Sequence, residues 1–202
     1  PELVKPAVEQ ALAVCRVAVE IASTTRPVTW QSLIKRSEEV SDHLSRLWSP
    51  VSHLNSVVSS PELREAYESC LPLLSEFSTW VGQHEGLYQA YVALSESDEY
   101  ATLTSAEQKV VQNALRDFKL SGIGLSDDKK QRYGDIQTRL SDLSSTFSNN
   151  CLDATQAWFK HITDEQLLAG LPEDAKLAAA EAAASRELTG WVFTLEFPSY
   201  IS

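Results

Sequence analysis

Apolar residues recur at intervals of three and four along most of this chain, and that spacing constrains its fold more than any other feature. In the first periodic segment they are Val8, Leu12, Cys15, Val19 and Ala22. Such spacing places side chains on one face of an α-helix, whereas a half-buried strand would alternate at every second residue. Similar stripes continue as far as Leu188. The sequence therefore predicts an all-α fold, an elongated multi-helix array or bundle.

Capping signals divide the stripes into separate helices. A first-turn proline or a side chain that can cap a helix precedes each stripe, at Pro6, Thr29, Ser60-Pro61, Thr104 and Ser126. The Thr104 signal is a capping box, because Glu107 follows three residues later and can reach back to the first amide. We expect helices to begin at these points.

Two prolines lie inside helical stripes. Proline has no N–H and crowds the preceding turn. We expect Pro50 to interrupt the second helix, with a short continuation to about Val58, and Pro72 to kink the third.

The longest stripe predicts the longest helix, from Ser126 to about His161. At a rise of about 1.5 Å per residue, this helix should have roughly 35 residues and a length of roughly 50 Å. Its apolar face consists of Tyr133, Ile136, Leu140, Leu143, Phe147, Cys151, Ala154 and Trp158. We expect Leu143 and Phe147, in the middle of this face, to be buried.

The period changes to two near the end of the chain. Trp191, Phe193, Leu195 and Phe197 would share one face of a strand over about 191–197, the one convincing strand in the sequence. A single strand leaves its backbone groups without partners. We therefore expect a helical lobe over 1–190, and over 191–202 the start of a β-region whose other strands lie in missing sequence.

Charge and composition exclude several classes of protein. The net charge is −11, and no cluster of Lys and Arg is present, so neither nucleic acid nor an anionic membrane is an expected partner. No apolar run is long enough to span a bilayer. Cys15, Cys70 and Cys151 form no CxxC motif, and each lies on an apolar helical face. This pattern favours free thiols in helical cores and a cytoplasmic location.

Methionine is absent from the sequence, including the first position. A complete natural chain begins with methionine. The expectation is therefore that this chain is a processed or excised piece of a longer protein.

Several segments, in order along nearly the whole chain, resemble bacterial members of the thimet oligopeptidase family of zinc metallopeptidases. These segments are Ser49–Ser56, Ser60–Tyr67, Leu71–Tyr88, Asn113–Phe118, Leu120–Leu125, Ser148–Asn150, Leu152–Thr155 and Phe193–Tyr200. The resemblance implies the N-terminal part of a mostly helical enzyme with two lobes around a deep channel, similar to the N-terminal region of neurolysin. Such enzymes cleave short peptides, because folded proteins cannot enter the channel.

In this family the zinc is held by the two His of an HExxH helix and a downstream Glu, and the Glu of HExxH is the general base. The present sequence contains no HExxH. Consequently no catalytic, cofactor-binding or metal-binding residue is assigned to it. We expect this segment itself to be inactive, and zinc to belong to the parent enzyme.

The nearest approach to a zinc motif is the segment His84-Glu85-Gly86-Leu87-Tyr88, in which Tyr88 takes the place of the second His. A zinc helix needs two imidazoles one turn apart on the same face. The segment is better interpreted as a polar corner in a helical hairpin. His43, His53 and His161 are isolated, and each is expected at the surface or hydrogen-bonded.

Other candidate groups also have structural explanations. Asp127-Asp128 and Asp164-Glu165 lie in first helical turns, where the helix dipole favours negative charge. Gly122-Ile123-Gly124 is a turn that ends a helix rather than a phosphate cradle. The aromatic residues Trp80, Tyr88 and Trp158 fit core stripes better than a ligand cage.

Two functions remain open from the sequence. In the first, the chain is the N-terminal helical segment of a cytosolic zinc metallo-oligopeptidase and forms part of the channel wall. Its partners are then the catalytic lobe of the same polypeptide and short peptide substrates. In the second, the chain is a non-enzymatic helical scaffold or adaptor that binds partner helices. The expectation of a strand that lacks partners favours the first.

Overall fold

The computed structural model describes residues 1–57 and 60–201, and it confirms a predominantly helical fold. Helices in the first part of the chain are α1 (Val4–Thr24), α2 (Arg36–Val57), α3 (Pro61–Gly82), α4 (Glu85–Ser95), α5 (Asp98–Thr102) and α6 (Ser105–Leu120). The later elements are α7 (Asp127–Ala157), β1 (Phe159–Ile162), α8 (Glu173–Ala184), β2 (Trp191–Thr194) and α9 (Phe197–Ile201). A π-helical segment, Trp30–Lys35, precedes α2, and a 3-10 turn, Glu165–Leu168, follows β1.

The chain forms two compact units, Pro1–Asp142 and Leu143–Ser202. The expected boundary between 1–190 and 191–202 concerns how the chain continues into a longer polypeptide, and it stays a prediction.

The core of the first unit is built around α1. Its predicted stripe is confirmed, because Val8, Leu12, Cys15, Val19 and Ala22 are all buried. Helix α1 packs against α2, α3 and α4, and α4 packs in turn against α6. The largest buried side chains here include Leu33, Leu94 and Val111. Amphipathic helices thus bury their apolar faces against one another.

Several predicted caps are present. The hydroxyls of Thr29, Ser60 and Thr104 accept hydrogen bonds from the backbone N–H groups of Ser32, Leu63 and Glu107. The Thr104–Glu107 capping box is complete, since the Glu107 carboxylate accepts from the Thr104 N–H at 2.8 Å.

The expected interruption at Pro50 is wrong, because α2 continues through this proline to Val57. One proline removes a single backbone donor, and the neighbouring turns continue the helix. The predicted end near Val58 lies outside the described residues. Pro72 lies inside α3, and the kink expected there stays a prediction.

Helix α7 is shorter than predicted, and its apolar stripe is not buried. The helix has 31 residues and ends at Ala157, before the expected end near His161. Leu143 is 48% exposed and Phe147 is 70% exposed, so the prediction that both are buried is wrong. The spacing shows which side chains share a face, but burial also requires another element to cover that face.

The expectation of a lone C-terminal strand is also wrong. Strand β2 pairs in antiparallel fashion with β1, and Phe159 lies opposite Thr194 while Ile162 lies opposite Trp191. The predicted helix from Ser126 to about His161 overlaps most of β1, because four residues are too few for the two periods to be distinguished. At least one partner of β2 therefore lies within the chain.

Strand β2 ends at Thr194 rather than near Phe197, where α9 begins. Its fully buried side chain is Val192, whereas Trp191 and Phe193, on the face expected to be apolar, are half-buried. Helix α8 packs on β2, and it buries the small residues Ala175, Ala179 and Ala183. Small side chains on α8 let the helix approach the sheet closely.

A tight turn precedes β2. Gly190 has φ +94°, and a Cβ atom there would lie 2.4 Å from the Ile162 carbonyl oxygen. Glycine is needed at this position both for the backbone angle and for the close approach to β1.

Among the described residues, none of the helices combines the length and apolarity needed to cross a bilayer.

Candidate functional site

His84, the residue closest to a zinc motif, is the N-cap of α4. Its Nδ1 accepts a hydrogen bond from the Leu87 N–H at 3.0 Å. Because Nδ1 is an acceptor, Nε2 carries the proton and donates to the Glu20 carboxylate at 3.3 Å. Both ring nitrogens therefore have protein partners. Tyr88 lies one turn later, where a zinc motif would have its second His. Its ring packs edge to face against that of Phe118, with centroids 5.6 Å apart.

The other predicted candidates lie apart from one another. His43 and His53 are exposed on α2, and His161 lies on β1, where Nε2 is 2.7 Å from the Thr189 carbonyl oxygen. No three His, Cys, Asp or Glu side chains come together in a possible metal site within 1–57 and 60–201.

The acid pairs lie at the beginnings of helical segments, as expected. A hydrogen bond from Ser126 lowers the pKa of Asp128, in the first turn of α7. Asp164 caps the 3-10 turn by accepting from the Gln166 N–H. Gly122, with φ +84°, follows the end of α6. These positions stabilise helix ends.

Two predicted core residues are exposed instead. Trp158, which lies between α7 and β1, is 46% exposed, and Cys151 is exposed on α7. By contrast Cys15 and Cys70 are buried, and burial raises the pKa of each thiol. All three thiols are free.

A cluster that sequence reasoning missed connects α1 to the end of α3. The guanidinium carbon of Arg16 lies 4.7 Å from the ring centroid of Trp80 and 5.5 Å from that of Phe77. Arg16 also forms an ion pair with Glu76 at 3.5 Å. The rings of His84 and Trp80 are nearly perpendicular, with centroids 5.0 Å apart. The available signal was Arg16 itself, a charged residue next to the buried stripe of α1.

A polar groove of about 410 Å³ lies beside this cluster, between the end of α3 and the first half of α7. It is lined by Glu76, Thr79, Trp80, Gln83, Asp127, Lys130, Gln131, Gly134, Asp135 and Thr138. Amides, hydroxyls and charges of both signs face it, beside one indole ring. Such a surface can hydrogen-bond an extended polar chain.

A second, more apolar groove of about 390 Å³ lies between α3, α4 and α6. Tyr91 and Phe118 both line it, with ring centroids 5.5 Å apart. Burial, together with the nearby charge of Glu38, raises the pKa of Tyr91 to about 12. The phenol is therefore neutral over the physiological range, and these rings belong to the core of the first unit.

The sequence matches a described family over more than half of its length. Residues 8–130 match the family domain described as "Neurolysin/Thimet oligopeptidase, N-terminal domain". The matched region contains the Arg16–Trp80–His84 cluster and the second groove, and it contains the lining of the polar groove as far as Lys130.

The whole chain is also similar to longer curated proteins. It is 59% identical over 202 residues to oligopeptidase A of Escherichia coli (strain K12), covering 100% of this chain and 30% of the relative. The oligopeptidase A of Salmonella typhimurium is 58% identical over 202 residues, again with coverage of 100% and 30%. For the oligopeptidase A of Haemophilus influenzae the identity is 57% over 201 residues, with the same coverage. The chain thus spans about a third of the length of these relatives.

The helical first unit, the match over residues 8–130 and the similarity along the entire chain agree with one another. Accordingly, this chain belongs to the thimet oligopeptidase family and corresponds to its N-terminal portion.

Proposed function

We propose that this chain is the N-terminal helical part of a zinc metallo-oligopeptidase that hydrolyses short peptides. The observation that carries the proposal is the 59% identity to an oligopeptidase A over the full 202 residues, which amount to 30% of that relative. Similarity at this level along a whole chain supports a common activity for the complete polypeptide.

In this proposal the chain shapes the enzyme and restricts access to its channel, and it does not perform the chemistry. The zinc that the family implies would act as a Lewis acid and activate a bound water. The described residues do not fit a zinc site, because both nitrogens of His84 are engaged and His43, His53 and His161 lie apart. We assign the metal and the general base to the remainder of the polypeptide.

The polar groove between α3 and α7 is the part of this chain best suited to face a peptide. Backbone amides of an extended peptide need both donors and acceptors, which Gln83, Thr79 and Asp135 can supply. The charges of the cluster are already paired, since Arg16 lies against Glu76.

A cytoplasmic location is part of the proposal. Its support is that Cys15, Cys70 and Cys151 are all free, as is typical of proteins in a reducing compartment.

The test compares the complete polypeptide with the chain of 202 residues. We expect the complete polypeptide to cleave short fluorogenic peptides and to lose that activity in a chelator, with recovery on addition of Zn²⁺. The chain alone should show neither peptidase activity nor one tightly held zinc in metal analysis. A zinc bound one to one by the chain and lost in His84→Ala would contradict the assignment. A complete polypeptide without peptidase activity would instead favour a helical scaffold.

A further inference from the structure

A third groove of the first unit combines exposed apolar side chains with polar groups that have no partner. It has a volume of about 450 Å³ and lies between the beginning of α4, the loop after α6 and the first part of α7. A volume of roughly 300–1,000 Å³ is common for sites that bind small molecules. The lining consists of Glu85, Tyr88, Lys119, Leu120, Gly122, Ile123, Gly124, Leu125 and Tyr133, none of which lines the other two grooves. This groove is called the Gly124 groove below.

The loop after α6 leaves the groove open because Gly124 has no side chain. A Cβ atom at Gly124 would meet no atom within 4 Å. At Gly122, by contrast, a Cβ atom would lie 2.7 Å from Cδ1 of Leu125, so that space is already filled. The free space of the groove therefore depends on the glycine at position 124.

Leucine and tyrosine side chains give the groove an apolar and aromatic surface. Leu120 is 70% exposed and Leu125 is 39% exposed, while Tyr88 and Tyr133 are half-buried. Burying exposed apolar surface is favourable, and aromatic rings pair well with one another edge to face or offset. A ligand that carries an aromatic side chain would gain both contributions here.

The polar groups of the lining are available to a ligand. Within residues 1–57 and 60–201, the hydroxyls of Tyr88 and Tyr133 have no hydrogen-bond partner, and the ammonium group of Lys119 has no ion-pair partner. Glu85 accepts a hydrogen bond on Oε1 from the Gln89 amide at 2.9 Å, which leaves Oε2 for another donor. The groove thus offers one positive charge, one negative charge and two hydroxyls.

This combination fits a zwitterion with an apolar side chain. A carboxylate would pair with Lys119 and an ammonium group with Glu85, both through charge-assisted hydrogen bonds. The net charge of the chain, −11, repels a ligand that is negative overall, but a zwitterion has no net charge. A short peptide with two free ends has this distribution of charge.

We propose that the Gly124 groove binds a short peptide that has free ends and an aromatic side chain. Lys119 would hold the carboxylate and Glu85 the ammonium group, and the side chain would lie against Tyr88, Tyr133 and the two leucines. The choice of a peptide rests on the proposed function, in which short peptides are the substrates. The site is separate from the polar groove, since the two share no lining residue.

The experiment titrates the dipeptide alanyl-phenylalanine into the ¹⁵N-labelled chain of 202 residues and follows amide chemical shifts by NMR. We expect saturable shifts at Glu85 and over Lys119–Leu125. Three comparison ligands each lack one feature: the dipeptide with both ends blocked lacks the charges, alanyl-alanine lacks the ring, and free phenylalanine lacks the separation between its charges. Each should bind at least about tenfold more weakly, because one group of contacts is lost.

Variants of the lining test the same contacts from the side of the protein. Lys119→Gln should weaken binding at least about tenfold, while Lys109→Gln, at an exposed position of the same helix outside the groove, should leave it unchanged. Gly124→Phe should fill the groove and abolish binding, and Gly124→Ala should retain it. Thermal unfolding by circular dichroism establishes that each variant is folded.

The outcomes separate this inference from the proposed function. Absence of saturable shifts, or equal affinity of Lys119→Gln or of the blocked dipeptide, would overturn the site even if the complete polypeptide cleaves peptides. Free phenylalanine binding as tightly as the dipeptide would identify an amino acid as the ligand and overturn the choice of a peptide. Binding that is lost in Lys119→Gln and in Gly124→Phe, but kept in their controls, would support the site even if the complete polypeptide cleaves no peptides.

Discussion

Gly82 shows how tightly the end of α3 packs against the turn after α6. A Cβ atom at this position would lie 2.6 Å from both the Cβ and the Oγ of Ser121. Gly82→Ala should lower the free energy of unfolding by about 1–3 kcal/mol, because neither backbone segment can move without disturbing its helix. Urea titration followed by circular dichroism measures this change.

Two variants control for that prediction. A Cβ atom at Gly124 would have no neighbour within 4 Å, so Gly124→Ala should change the free energy of unfolding by no more than about 0.5 kcal/mol. Adding Ser121→Gly to Gly82→Ala removes the clash and should recover most of the loss. A double variant as unstable as Gly82→Ala would mean that the contact with Ser121 is not the cause.

Single residues were predicted well where the cause is local. The hydroxyl of Thr104 and the carboxylate of Glu107 are three positions apart, and their capping box needs nothing else in the molecule. The cluster of Arg16, Trp80 and His84 depends instead on how α1 meets α3, 64 positions away in the case of Arg16 and Trp80. A spacing rule for one helix contains no information about such a contact.

At the level of the element, the capping box of α6 should make stability depend on pH. Hydrogen bonds from Thr104 hold the pKa of Glu107 below its ordinary value of 4.5. A carboxyl group whose pKa is lowered on folding stabilises the fold above its unfolded pKa, and this contribution is lost as the pH falls through the folded pKa.

Glu107→Gln isolates that contribution. The wild type should be more stable than Glu107→Gln at pH 7, and the difference should shrink as the pH falls below 4.5, where Glu107 becomes neutral as well. Urea unfolding of both proteins between about pH 3 and about pH 7 measures the difference. A difference that stays constant over this range would contradict the role of the charge.

Helices α4 and α7 should respond very differently to the loss of an apolar side chain. Leu94 on α4 is fully buried, so Leu94→Ala should cost about 2–5 kcal/mol through lost contacts and a remaining cavity. Phe147 on α7 is 70% exposed, and Phe147→Ala should change the stability of the chain by less than about 0.5 kcal/mol. Thermal unfolding of both variants tests the contrast, and a large loss in Phe147→Ala would show that α7 is covered.

Burial of a helix face was predicted correctly where other helices of the same unit cover that face. The stripe of α1 was correctly assigned to the core, because α2, α3 and α4 cover it within the same unit. The stripe of α7 has the same spacing, yet Leu143 and Phe147 are exposed. Strand β1 was missed because four residues carry too little periodicity, although it is the partner that β2 was expected to lack.

At the level of the whole molecule, stability should differ between the two units. Fully buried Val8, Leu33, Leu94 and Val111 all belong to the unit Pro1–Asp142. The unit Leu143–Ser202 has Leu168 and Val192 as its large buried side chains, within its described part. Amides protected by a larger apolar core open less often, since more buried surface must be exposed to reach them.

Hydrogen exchange of the chain of 202 residues tests this difference. The slowest amides should lie in α1 and α4, and those of α8 and β2 should exchange at least about tenfold faster. Uniform protection across both units would show that they unfold together as one cooperative structure.

The three thiols differ in burial, so one of them can be labelled selectively in the native protein. A thiol-reactive dye should attach to native protein at Cys151, which is exposed, before it reaches Cys15 or Cys70, whose burial raises their pKa and so keeps them protonated. Cys151 lies one helical turn beyond Phe147 on α7. A label at this position therefore needs no engineered cysteine, and its emission would record, in solution and in real time, when this exposed part of α7 becomes covered.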